Sequence, residues 1–160
     1  MGWVTLVGTL SGAVLGVGSS MLIEGIRARR DRGNRLEEVR REAYVKFLTA
    51  LTETETALQT LALSRPAPVD PGDVITAYRS QRILPTFYEL LMVAPPVVSE
   101  AAENAYQGMR GIRDGITTLA TVERGSDAWQ EVHLPYRDAV RRLRQVMRDS
   151  IQGAAPTGAR

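Results

Sequence analysis

The feature that most constrains this chain is an uncharged run from Gly2 to Ile23, closed by Glu24-Gly25-Ile26 and then by Arg27-Ala28-Arg29-Arg30-Asp31-Arg32. A bilayer core asks for about 20 mostly apolar residues, and every backbone polar group inside it must be bonded internally, so such a run takes helical form. Its five glycines and five Ser or Thr make it less oily than a leucine-rich anchor, yet a soluble buried helix rarely avoids charge for so long. A secretory leader would carry its charge before the apolar run and a small-residue cleavage site after it, whereas here the arginines come after. Residues 2–26 are therefore expected to form one transmembrane helix. In the juxtamembrane segment 27–35, Arg27, Arg29, Arg30, Arg32 and Arg35 outweigh the single Asp31. That asymmetry predicts a single-pass protein of the cell membrane, N-terminus outside, Trp3 at the outer interface and the rest of the chain cytoplasmic.

Placed on a helical wheel, Gly8, Gly12, Gly16 and Ser20 step by four, and Thr5, Thr9 and Ser19 fall within the same arc of roughly 120°. The opposite arc carries Val4, Leu6, Val7, Leu10, Val14, Leu15, Val17, Met21 and Leu22. Segregation of this kind suits close helix contact on one side and lipid on the other. With a single expected span, the helix that fills the glycine-zipper face must come from a second copy or from another membrane protein. The competing reading is compositional, since small residues are common in membrane helices whatever they face.

Residues 36–152 are enough for one modest hydrophobic core and too few for two. The chain has no cysteine, which removes disulfides, thiolate metal sites and a cysteine nucleophile and suits a reducing compartment. All its basic residues but Lys46 are arginine, and the formal net charge of +2 is too weak to point to nucleic acid.

From Glu24 to about Leu63 no proline interrupts the chain, and Leu36, Val39, Ala43, Phe47, Ala50, Thr54, Leu58 and Leu61 recur at spacings of three and four. This predicts a long amphipathic helix with one weak point, Arg32-Gly33-Asn34, where the membrane helix would end or bend. Arg65 to Val69 reads as a stiff connector, and Asp70-Pro71 as an N-cap followed by proline at the first helical position. The next helix carries Val74, Ile75, Tyr78, Ile83, Phe87, Leu90 and Leu91, with Pro85 kinking or splitting it. A third starts near Pro96 and uses Val98, Ala101, Ala102, Ala105, Tyr106, Met109, Ile112, Ile116 and Leu119, ending at Arg124-Gly125-Ser126. Its glycines 108, 111 and 115 read equally as sites of close helix approach and as tolerated weak spots. The last helix, about Asp127 to Gln152, has Pro135 as a kink and a buried stripe of Trp129, Tyr136, Val140, Leu143, Met147 and Ile151. The tail 153–160 is expected to be disordered. The fold class is thus all-α: the transmembrane helix, then an antiparallel cytoplasmic bundle of about four helices spanning 36–152.

Chemistry is sparse. His133 is the only histidine and reads as a surface or half-buried residue, and Glu53 and Glu55, two apart on a helix, face different ways and read as solvated carboxylates. There are no Glu-x-x-His pairs, no phosphate-binding glycine loop and no zinc spacing, so neither an enzyme, a metal, a cofactor nor a small-molecule substrate is expected. What stands out is a basic ridge in the last helix, Arg137, Arg141, Arg144 and Arg148, also spaced by three and four. Its default reading is a solvated face; its functional reading, shared with Arg27 to Arg35, is a dock for anionic lipid headgroups or an acidic partner.

The order of these features, with Arg41-Glu42-Ala43-Tyr44-Val45-Lys46-Phe47-Leu48, Ala94-Pro95-Pro96-Val97-Val98 and a last helix closing near Arg148-Asp149, resembles a group of uncharacterised actinobacterial single-pass membrane proteins. The resemblance implies the same architecture of span, arginine-rich exit and helical bundle, and brings no activity or binding residues with it. Taken together, the residues lead to the expectation of a membrane-anchored adaptor or scaffold that self-associates or pairs with a membrane partner. The alternatives are a small oligomeric pore lined by Thr5, Thr9, Ser19 and Ser20, and a sensor of anionic lipid.

Overall fold

The computed structural model describes the backbone of residues 3–64, 69–119 and 126–153, with side chains from residue 33 onward. Among these residues the fold is all-α, with five helices and no strand: α1 (Trp3–Ser64), α2 (Pro71–Ser80), α3 (Ile83–Val93), α4 (Pro96–Thr118) and α5 (Asp127–Gly153). The chain divides into two compact units, Met1–Glu38 and Val39–Arg160. Among the described residues no helix is long and apolar enough to cross a membrane. The expected span at 2–26 lies outside the described side chains, as do the small face Thr5, Gly8, Thr9, Gly12, Gly16, Ser19 and Ser20 and the basic residues Arg27, Arg29, Arg30 and Arg32.

In the first unit the helix does not end at Arg32-Gly33-Asn34, as it was expected it might; α1 is assigned through that point, and a Cβ on Gly33 would meet nothing within 4 Å. The stripe of α1 is exposed at Leu36 in the first unit and at Val39 in the second, and is buried only from Ala43 onward. Ala43, Tyr44, Phe47, Ala50, Leu51, Thr54, Leu58 and Ala62 then enter the core. Buried Thr54 donates to the Ala50 carbonyl at 2.6 Å, which satisfies its hydroxyl within its own helix.

Asp70 caps α2 as its sequence implies, its Oδ1 accepting from the Gly72 and Asp73 amides at 2.8 and 3.2 Å, with Pro71 at N1. The expected second helix is two helices, and the break precedes the proline. α2 stops at Ser80, Arg82 takes a left-handed conformation with φ 53°, and α3 starts at Ile83. Pro85 therefore sits in the first turn of α3, where a missing amide leaves no intrahelical bond unmade. α4 begins at Pro96 as expected, but ends at Thr118, before Arg124; residues 120–125 lie outside the description. Ser126 accepts from the Trp129 amide at 3.3 Å and starts α5, which continues through Pro135 and includes Gly153. Pro135 is on the exposed side of α5, as is Glu131, whose carbonyl is the one a proline at this position leaves without its helical donor.

The packing is antiparallel where register can be read. Along α5 and α1, Ser150 meets Tyr44, Tyr136 meets Leu51 and His133 meets Glu55. Between α1 and α3, Arg40 donates to the Val93 carbonyl at 2.8 Å and Phe47 packs on Phe87 at 5.6 Å between ring centroids. Phe87 in turn stacks on Tyr106 of α4 at 4.8 Å, so one aromatic run joins three helices. All the expected core positions of α4 are buried except Tyr106 and Leu119, which are partly covered.

The glycines of α4 divide by what surrounds them. A Cβ on Gly108 would lie 2.9 Å from Tyr136 Cα, and one on Gly115 would lie 2.7 Å from Val132 Cγ1, so at both points α5 is seated almost on the α4 backbone. Gly111 faces open space. Thermal unfolding of the full chain should therefore separate them. Gly111→Ala is expected to raise stability by about 0.5–1 kcal/mol through helix propensity alone. Gly108→Ala should lower it, because backbone and not a pliable side chain has to move; equal shifts for the two variants would contradict this packing.

Candidate functional site

The ridge expected on the last helix is present as an exposed stripe of α5. Arg137, Arg141, Arg144 and Arg148 stand outward at positions i, i+4, i+7 and i+11, the spacing of one helical face. With Val140, Gln145 and Tyr136 they line a shallow groove of about 420 Å³ that has Glu55 of α1 at one side. Arg141 lies 3.4 Å from Asp138 in a fully surface pair of the kind that contributes little. Arg137, Arg144 and Arg148 meet no carboxylate within ion-pair distance among the described residues. Arg35, the one described member of the juxtamembrane group, is also exposed.

Beneath the groove is a polar cluster, where a surface or half-buried histidine and a solvated carboxylate are expected. His133 is 8% exposed, and its Nε2 lies 2.8 Å from Glu55 Oε1 and 3.2 Å from Gln59 Nε2. Its ring stacks on Trp129 at 5.3 Å and meets Tyr136 edge-on at 5.8 Å. Glu55 also accepts from Gln59 at 3.2 Å. His133 is thus buried, neither at the surface nor half-buried, and Glu55 is not a free carboxylate; Glu53, two positions earlier, does point to solvent. The signal that could have found the pair was positional: His133 lies on the same face as Trp129, Tyr136 and Val140, and Glu55 lies beside the Thr54 and Leu58 stripe.

Tyr136 links cluster and core. Its hydroxyl donates to the Leu51 carbonyl at 3.4 Å, and burial, followed by the Glu55 carboxylate, pushes its phenol far above the usual range, against a smaller opposing pull from Arg144. It stays a neutral donor at any physiological pH. Among the described residues no group of three His, Cys, Asp or Glu could hold a metal ion. The cluster therefore reads as a satisfied buried network that fixes α5 against α1, with the arginine groove above it as the surface able to meet a partner. Compared with known protein families, curated proteins and solved structures, the chain has no match.

The division between Glu53 and Glu55 is directly measurable by urea denaturation. Glu55→Ala should cost about 1–3 kcal/mol by removing the carboxylate that the buried His133 Nε2 meets, whereas Glu53→Ala should stay within about 0.5 kcal/mol of the parent. Similar costs for both would place the histidine cluster outside the stabilising network.

Proposed function

We propose that this protein is a membrane-anchored helical adaptor: residues 2–26 tether it and pair with another membrane helix, and the bundle offers the α5 arginine face to an acidic partner protein in the cytoplasm. The observation that carries the docking half is the stripe Arg137, Arg141, Arg144 and Arg148 around one groove, three of its four guanidiniums meeting no carboxylate within ion-pair distance among the described residues. Planar guanidiniums on one rigid helix suit bidentate recognition of carboxylates, and a face held in place by the Tyr136 and His133 contacts loses little conformational freedom on binding. The tethering half rests on the uncharged run and its arginine-rich exit, and the pairing half on the segregated small face of Gly8, Gly12 and Gly16.

Two measurements test the halves separately. Gly12→Ile should move in-membrane crosslinked protein from oligomer or hetero-pair to monomer, and an unchanged crosslinking ladder would remove the pairing role. Replacing Arg141, Arg144 and Arg148 together by Gln should abolish partner crosslinks from α5 in cells at unchanged thermal stability, because all three side chains are exposed. Retained crosslinks would return the ridge to a solvated face, and loss of binding to anionic vesicles instead of to protein would assign it to lipid.

A further inference from the structure

A second cavity, formed by α2, α3 and α4, is built differently from the arginine groove. It encloses about 790 Å³, within the range of small-molecule sites. Its walls are apolar where α2 and α3 meet: Val74, Ile75, Ile83, Leu84 and Pro85. Ile75 and Leu84 are 45% and 42% exposed, so this face is left wet in the free protein. Arg79, Arg82 and Arg113 also line it, against the single carboxylate of Asp114, which is already engaged by Arg113 at 2.7 Å. Arg113 lies 5.0 Å over the Tyr78 ring, so one guanidinium is held at the aromatic wall.

Two irregularities fall in this one place. Tyr78 is 6% exposed, yet its hydroxyl has no hydrogen-bond partner, although buried phenols in folded proteins are almost always satisfied. Burial first, and then a hydrogen-bonding interaction with the Tyr106 phenol that falls short of a well-formed bond, hold Tyr78 protonated, a donor without a well-placed acceptor. The second irregularity is Arg82, the one non-glycine residue with positive φ among the described residues, at a helix end where glycine or asparagine is the usual occupant. The chain thus forgoes stability twice, and both times at the wall of the same cavity.

From this coincidence we infer that the α2–α3–α4 cavity binds a small organic anion with an apolar or aromatic body, such as an aryl carboxylate. The body covers Ile75, Leu84 and Pro85, the carboxylate is held by Arg82 and Arg113, and the Tyr78 hydroxyl, closed to solvent in the free protein, shifts outward to donate to it. Binding supplies the well-formed hydrogen bond that the buried phenol lacks and a counter-charge for Arg82, which meets no carboxylate within ion-pair distance among the described residues. The role of Arg82 explains why a left-handed position carries a long cationic side chain.

The test is calorimetric titration of the full chain, in nanodiscs or plain buffer as its solubility dictates, with naphthoate as probe and naphthamide as its uncharged counterpart. Naphthoate should bind saturably above the blank, and naphthamide about tenfold more weakly or worse. Tyr78→Phe should weaken naphthoate several-fold while raising the thermal midpoint of the free protein, since it removes an unsatisfied hydroxyl from the core. Arg82→Gly should do the same through relief of the backbone, and Arg113→Gln, an exchange near the surface, should weaken binding without unfolding the chain. No saturable heat, equal binding of acid and amide, or a Tyr78→Phe protein that is less stable or binds equally well would each overturn the site.

Discussion

The structure depends on how closely α5 sits on α4. At Gly108 and Gly115 the α4 backbone has no side chain, and Tyr136 and Val132 occupy the space a Cβ would need. Two residues seven apart on one helix face make a single track, along which α5 is fixed in both height and rotation. Once Tyr136 is set on that track, the rest of α5 has no freedom left. His133, one turn earlier, turns toward Glu55 and Gln59 of α1, and Arg137, Arg141, Arg144 and Arg148 are carried to the outside. The position of the basic face is therefore a consequence of glycines on a different helix, and a change at Gly108 would be felt at the groove without touching an arginine.

Much of this was legible in the chain because helical periodicity and capping are local. The stripe of α4 was read almost residue for residue, as was the Asp70-Pro71 start of α2, since each depends on spacing or on a side chain meeting its own backbone. What the chain withheld was pairing across helices. Periodicity puts His133 on the buried face of α5 and Glu55 beside the buried stripe of α1, but nothing in it says that the two meet across 78 positions. The three glycines of α4 look alike in sequence and differ only in what faces them. The split between α2 and α3 was anticipated at Pro85, but it occurs at Arg82, a residue with no turn signature, because the proline fits the first turn and the strain falls on the residue before the new helix.

The left-handed Arg82 also shows where local rules and the fold disagree. Propensity would put glycine there, and a Cβ in that conformation costs about 1–2 kcal/mol. The neighbouring core gives no packing reason for arginine, since Arg82 is exposed. Tyr78, by contrast, is drawn inward by its ring and brings an unsatisfied hydroxyl with it. Departures of this kind, when scattered, say little; when they share a cavity wall with a guanidinium stacked on the aromatic ring, they have a common cause more economically than two separate ones.

The two arginine-bearing surfaces differ in what lies between the charges, and that difference decides what each can hold. Along α5 the guanidiniums rise from a groove whose lining is chiefly polar, so a partner there gains by charge and direction but buries little apolar area, which favours an extended acidic surface over a compact ligand. Between α2, α3 and α4 the guanidiniums border a concave apolar wall with a buried donor beside it, and a compact anion can be both desolvated and held. A protein partner on the first and a small molecule on the second do not compete for residues, because the linings share none. They are joined through α4, which lines the cavity with Tyr106 and Arg113 on one part of its surface and seats α5 with Gly108 and Gly115 on another. Coupling between the two has a direct route through that helix, where a shift of a few tenths of an ångström is already resisted by backbone contact, and a longer one through α1, which meets α3 at Phe87 and α5 at Tyr136.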